Sequence, residues 1–79
     1  MVKLTIKQKV VLEAIEWYIK EYGVSPTIKD LAELTNTSTH PTHEKVLKLE
    51  ELGVISTQNG KARTIKVLIS LEEIENAEH

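Results

Sequence analysis

Apolar residues recur at helical spacing from Val11 to Tyr22, and again in a shorter stretch from Ile28 to Leu34. They return at that spacing from Val46 to Leu52, then fall on alternate positions from Ile55 to Ile69. A period near 3.6 marks an amphipathic helix and a period of 2 marks a half-buried strand. The pattern therefore predicts three helices followed by a β-hairpin.

The residues between these runs carry start and stop signals. Thr5 opens the first helix, with Gln8 three positions later to complete a capping box. Val11, Ile15, Tyr18, Ile19 and Tyr22 form the expected buried stripe, and Gly23 stands where a helix C-cap belongs. Trp17 falls beside the stripe and is expected at the core margin; stacking on a base is the sharper alternative for that indole. Pro26 forces an extended entry to the second helix, which Thr27 caps while Asp30 answers from the third position. Ile28, Leu31, Ala32 and Leu34 supply its apolar face, the helix ends near Thr35, and Asn36 suits a left-handed turn. Ser38 is expected to cap the third helix, which runs from Ser38 or Thr39 to Leu52 before Gly53. On it Thr42, Val46 and Leu49 share one face, while His40, His43, Glu44, Leu47 and Glu51 share the opposite one. Pro41 sits in the first turn, where its missing amide costs little.

Val54-Ile55-Ser56-Thr57-Gln58 is the expected first hairpin strand, Asn59-Gly60 the turn, and Arg63 to Ile69 the return strand, with Lys61 and Arg63 near the tip. Ser70-Leu71-Glu72-Glu73 then starts another capping box, followed by Ile74, so the last residues form a short helix or an acidic tail. Two helices joined by a tight turn, followed by a hairpin, describe a small α+β winged helix-turn-helix of order α1-α2-α3-β-β. Residues 1–69 are expected to make that domain and residues 70–79 the tail or terminal helix.

Charge refines this picture. The 79 residues carry ten Lys and Arg against twelve Asp and Glu, a net −2. All ten cations and eight of the acids fall in residues 1–68, leaving that body at +2; Glu72, Glu73, Glu75 and Glu78 make the tail −4. A mildly basic body with an acidic tail is compatible with duplex DNA, at moderate affinity and with steep salt dependence. There is no cysteine, so neither a disulfide framework nor a thiolate metal site can form, as suits a reducing cytosol. No apolar run approaches the roughly 20 residues a membrane span needs, and a cytoplasmic protein is expected.

Reading DNA requires a helix in the major groove with its N-terminal side chains at base edges. Thr39, His40, His43 and Glu44 are so placed, and Glu44 can accept from a cytosine amine. Ser38 and Thr27 stand at helix N-termini, where amides and the helix dipole favour phosphate. Lys48, Lys61 and Arg63 are the candidates for phosphate contact, although solvated surface charge is the ordinary role of any one of them. Leu47, apolar on a polar face, either packs against the wing or a neighbouring helix or meets a thymine methyl or a dimer partner. His40, His43 and Glu44 fall short of a zinc site, which wants a further ligand that only His79 could add. No serine lies in a pattern that suggests a nucleophile with an oriented base. No metal, cofactor, small-molecule substrate or enzyme activity is expected. A winged helix used as a protein-interaction module is the rival reading, favoured by Leu47 beside Glu44 and Glu51.

Over about residues 3–68 the chain resembles the N-terminal DNA-binding domain of LexA-type repressors. The resemblance rests on Leu4-Thr5 with Gln8, on Gly23-Val24-Ser25-Pro26-Thr27, and on Leu31-Ala32. It continues through Val46, Leu49 and Gly53-Val54-Ile55 to Gly60, Arg63 and Ile65. It implies a third helix docked in the major groove as one half of a symmetric homodimer, with Ser38, His40, His43 and Glu44 among the base- and phosphate-contacting residues. Thr39-His40-Pro41-Thr42 departs from the family's usual recognition residues, and the turn before it looks one residue short, so the family's target sequence does not carry over. The family's self-cleavage domain, with its serine nucleophile and lysine base, has no counterpart in these 79 residues. A piece of a longer protein or a stand-alone regulator is expected, one that gains specificity as a dimer on a palindrome.

Overall fold

The computed structural model describes residues 2–58 and 61–77. Helix α1 spans Ile6–Tyr22, α2 Ile28–Leu34 and α3 Thr39–Glu51; strands β1 (Ile55–Ser56) and β2 (Lys66–Val67) follow, and α4 spans Leu71–Ala77. This is the small α+β winged helix that the periodicity predicts, with a fourth helix after the hairpin.

Local chemistry sets most of the boundaries. The Thr5 hydroxyl accepts from the Gln8 amide at 3.1 Å, and the Gln8 side chain accepts from the Thr5 amide at 2.9 Å. At α2 the Thr27 hydroxyl accepts from the Asp30 amide at 3.1 Å, and the Asp30 carboxylate accepts from the Thr27 amide at 3.0 Å. Each capping box satisfies two amides that a helix start otherwise leaves unpaired. The stops of α2 and α3 are Schellman motifs. After α2, Asn36 takes φ 55°, its amide donates to Glu33, and Thr37 donates to Ala32 at 2.9 Å. After α3, Gly53 takes φ 78°, with Gly53 and Val54 donating to Glu50 and Leu49.

Val11, Leu12 and Ile15 of α1 meet Leu31 of α2, Val46 and Leu49 of α3, and Val54, Ile55 and Ile65 of the hairpin in one core. Tyr22, expected in the buried stripe, is 60% exposed. It lies on the last turn of α1, with its ring 4.5 Å from Tyr18 and edge-on to Trp17 at 5.9 Å. Leu34 also faces outward; it lines a shallow groove with Val10, Ala14 and Trp17, because Leu31 and Ala32 already fill the buried side of this seven-residue helix.

The hairpin is far shorter than the predicted strands. Among the described residues Ile55 pairs with Val67 and Ser56 with Lys66, antiparallel, and no further pair forms. Above this pair the amides of Leu68 and Ile69 both donate to Val54, at 2.8 and 3.1 Å, which bends the strand and ends the ladder. Below it the Thr64 hydroxyl accepts from the Gln58 amide at 3.0 Å, where a backbone carbonyl would have continued the pairing. The expected Asn59-Gly60 turn lies outside the described residues; Lys61 beyond it donates to the Gln58 carbonyl at 3.2 Å.

Helix α4 packs on α1. Ile74 is buried in the shared core. The Ser70 hydroxyl accepts from the Glu73 amide at 3.2 Å, and the Leu71 amide donates to Glu16 of α1 at 3.1 Å.

Candidate nucleic-acid interface

Helices α2 and α3 meet through the turn Thr35–Ser38, stiffened by a file of hydroxyls. Thr35 contacts the Leu31 carbonyl at 2.8 Å and Thr37 at 2.9 Å; Thr37 contacts Thr42 at 2.8 Å, and Thr42 contacts the Ser38 carbonyl at 2.9 Å. Three hydroxyls carry three protons, so at most three of these four contacts are hydrogen bonds at one instant. Thr42 is almost wholly buried, so its hydroxyl is satisfied within the fold and holds the start of α3 to the turn.

Ser38 occupies the N-cap of α3, but its side chain makes no cap hydrogen bond, contrary to the capping expectation. The reason is Pro41, which sits at the third helical position and has no amide to donate. The amides of Thr39 and His40 accordingly begin α3 without the side-chain cap that α1 and α2 possess.

Thr42, Val46 and Leu49 are buried, and Thr39, His40, His43, Glu44, Leu47, Lys48 and Glu51 are exposed, as the 3.6-residue period requires. His40 Nε2 lies 3.5 Å from Glu44, and Lys48 Nζ lies 3.6 Å from Glu51. Both pairs are open to solvent, so each is worth a fraction of a kcal/mol and exchanges readily for another partner.

A groove separates α3 from the wing. Thr27, His43, Leu47, Gln58, Lys61 and Arg63 all line it, so the structure brings four sequence-predicted residues from three elements to one place. Ser38, Thr39, His40, Glu44 and Lys48 lie outside the groove, along the start and outer face of α3. Leu47 is 48% exposed and borders the groove beside His43.

Two predicted phosphate contacts are engaged inside the domain. Thr27 commits its hydroxyl and amide to Asp30. Arg63, its side chain 46% exposed, reaches back along the surface to α1 and α2: its Nη1 donates to the Tyr18 hydroxyl at 3.2 Å and the Ser25 carbonyl at 3.1 Å, and lies 3.3 Å from Asp30 Oδ2. The amide from Thr27 holds the Asp30 carboxyl below its ordinary pKa, with the Thr27 and Tyr18 hydroxyls and the Arg63 charge adding to this against some desolvation. The Tyr18 hydroxyl and the Asp30 charge raise the Arg63 guanidinium. Sequence reasoning missed Tyr18, Ser25 and Asp30 as partners of Arg63, since they lie 33 to 45 positions before it in the chain and no local spacing announces them. Among the described residues no three His, Cys, Asp or Glu side chains converge closely enough for a metal ion, and no helix is long and apolar enough to cross a membrane.

A helix-turn-helix whose second helix exposes a polar face beside a β-wing defines the winged helix-turn-helix class of DNA-binding domain. The family model of the LexA DNA binding domain matches residues 1–64, and the chain belongs to that family. It is 36% identical over 74 residues to the LexA repressor of Thermosipho melanesiensis, covering 94% of this chain and 37% of that protein. To the LexA repressor of Thermosipho africanus it is 37% identical over 68 residues, 86% of this chain and 34% of the relative. The Finegoldia magna LexA repressor is 36% identical over 75 residues, 92% of this chain and 36% of the relative. The chain thus spans about a third of the length of these relatives.

Proposed function

We propose that this chain binds duplex DNA sequence-specifically and serves as the DNA-reading part of a transcriptional repressor, in a cytoplasmic, non-enzymatic role. The observation that carries the reading is the exposed face Thr39, His40, His43 and Glu44 at the start of α3, beside a groove that Lys61 of the wing shares. In the major groove these side chains present donors and acceptors to base edges, Glu44 to a cytosine amine and either histidine to a purine. The amides of Thr39 and His40, next to Ser38, suit a phosphate at the positive end of a 13-residue helix. Lys48, once it leaves Glu51, and Lys61 supply further phosphate contacts. Thr27 and Arg63 support this surface from within the fold. Residues 1–69 form the reading unit, and α4 (Leu71–Ala77) braces it. One such domain covers only a few base pairs, so two copies on a palindrome are needed for useful specificity. Leu47, half exposed between Glu44 and Glu51, is the observation that favours a protein partner instead.

Fluorescence anisotropy with a random-sequence duplex at two salt concentrations tests the reading. The expected result is non-specific binding at roughly 1–100 μM that weakens with salt and weakens further in the Lys48→Ala/Lys61→Ala variant. An operator selected from a random library should then bind far more tightly. Absence of binding even at low salt would overturn the proposal in favour of a protein-docking role.

A further inference from the structure

We propose that Arg63 is a positioning residue: its guanidinium clasps the wing to α1 and α2 so that Lys61 faces α3 across the groove, and it does not itself take a phosphate. This rests on the DNA-binding reading above and gives Lys61 and Arg63, two of the three basic residues of the wing, different roles.

The clasp is built from three elements at once. Nη1 of Arg63 faces the Tyr18 hydroxyl on α1, the Ser25 carbonyl between α1 and α2, and the Asp30 carboxylate on the first turn of α2, all within 3.3 Å. The guanidinium carbon also stands 6.0 Å from the centre of the Tyr18 ring, at the limit of cation–π attraction. Asp30 stands against the guanidinium at short range and offsets part of the charge that would attract a phosphate. The Asp30 carboxylate is held in place by the Thr27 amide at 3.0 Å, so the acceptor is part of the fold and not a mobile surface acid.

Two features show that the wing needs such a clasp. Among the described residues its ladder holds two residue pairs, and an isolated short hairpin is marginal in water. Arg63 also adopts φ 57°, which side chains bearing a Cβ rarely occupy, and such strain persists where surrounding contacts over-determine it. Two residues on, the Ile65 amide donates to the Ser25 hydroxyl at 3.0 Å, so backbone and side chain fasten the wing to the same short connection. Lys61 and Arg63 are both exposed and both line the groove; they differ in their partners, since among the described residues no carboxylate lies within ion-pair distance of the Lys61 ammonium.

A double-mutant cycle separates the roles. The affinity of the 79-residue chain for a random duplex of about 20 base pairs is measured at low salt for wild type, Lys61→Ala, Arg63→Ala, the double variant and Tyr18→Phe. Each alanine variant is expected to weaken binding about three- to tenfold, and the double variant no more than about twofold beyond Lys61→Ala, because Arg63 acts through Lys61. Tyr18→Phe, which removes only an inward-facing hydroxyl, should weaken binding in the same direction. Fold-changes that multiply in the double variant, with Tyr18→Phe silent, would make Arg63 an independent phosphate contact and overturn the proposal. A DNA-free readout keeps the two readings apart. Hydrogen exchange at the Ile65 amide should accelerate about tenfold in Arg63→Ala and measurably in Tyr18→Phe. If exchange accelerates while wild type fails to bind DNA, the clasp stands and the DNA-binding reading falls; unchanged exchange in both variants overturns the clasp.

Discussion

Asp30 Oδ2 lies 3.3 Å from Arg63 Nη1 and accepts the Thr27 amide at 3.0 Å, so one carboxylate both caps α2 and anchors the wing. The helix-turn-helix and the hairpin therefore share a single side chain as their hinge point.

This sharing makes the domain sensitive to acid at one residue. The Asp30 carboxyl titrates below its ordinary value because it accepts the Thr27 amide and faces Arg63. A depressed folded-state pKa contributes stability that is present above the ordinary carboxylate range and is lost as pH falls through the folded value. Asp30→Ala should cost about 1 kcal/mol in urea denaturation at pH 7. The gap from wild type should begin to shrink as pH falls below the ordinary carboxylate range and close only below the depressed folded value, where neither side chain carries a charge.

Thr42 tests the hydroxyl file beneath α3. Its side chain is 1% exposed, and its hydroxyl meets both the Ser38 carbonyl and Thr37. Thr42→Val keeps the volume and removes those contacts, so it should destabilise by roughly 1–2 kcal/mol. Thr37→Val, on the exposed side of the same file, should cost less. Thermal denaturation of the two variants measures the difference.

Leu47 separates packing from recognition. Half of its surface is open, so Leu47→Ser should lower the melting temperature by only a few degrees, for a cost of under about 1 kcal/mol. If the groove is where DNA or a partner docks, the same change should weaken binding several-fold in an anisotropy titration. A large loss of stability with unchanged binding would assign Leu47 to the wing contact alone.

Ile74 measures how far the last helix belongs to the domain. It is 3% exposed and part of the core, so Ile74→Ala should cost about 2 kcal/mol or more. Glu75→Ala, an exposed neighbour on the same helix, should fall within about 0.5 kcal/mol of wild type. Chemical denaturation of both variants makes the comparison.

Much of what residues three to five apart govern was legible in the chain. The capping boxes at Thr5 and Thr27, the left-handed Asn36, the stop at Gly53 and the division of α3 into buried and exposed faces all follow from local hydrogen bonding and the helical period. The exposed face of the candidate site was readable for the same reason. Even the missing cap at Ser38 is a local effect, traceable to Pro41 three positions on, although residue preference at the cap position pointed the other way.

Contacts across long stretches of chain were decided only by the assembled fold. The strands end where Thr64 reaches back to Gln58 and where Leu68 and Ile69 share the Val54 carbonyl, and no alternation of side chains encodes that. The seat of α4 depends on Glu16 meeting Leu71 from 55 positions away. Nothing among its sequence neighbours gives Arg63 a partner; Tyr18, Ser25 and Asp30 supply them, because an arginine takes its role from whichever acceptors the folded chain places within reach. The periodic pattern alone thus determined that the chain builds a winged helix with a polar third helix. Packing decided that Arg63 meets acceptors on α1 and α2 while Lys61 borders the groove beside α3.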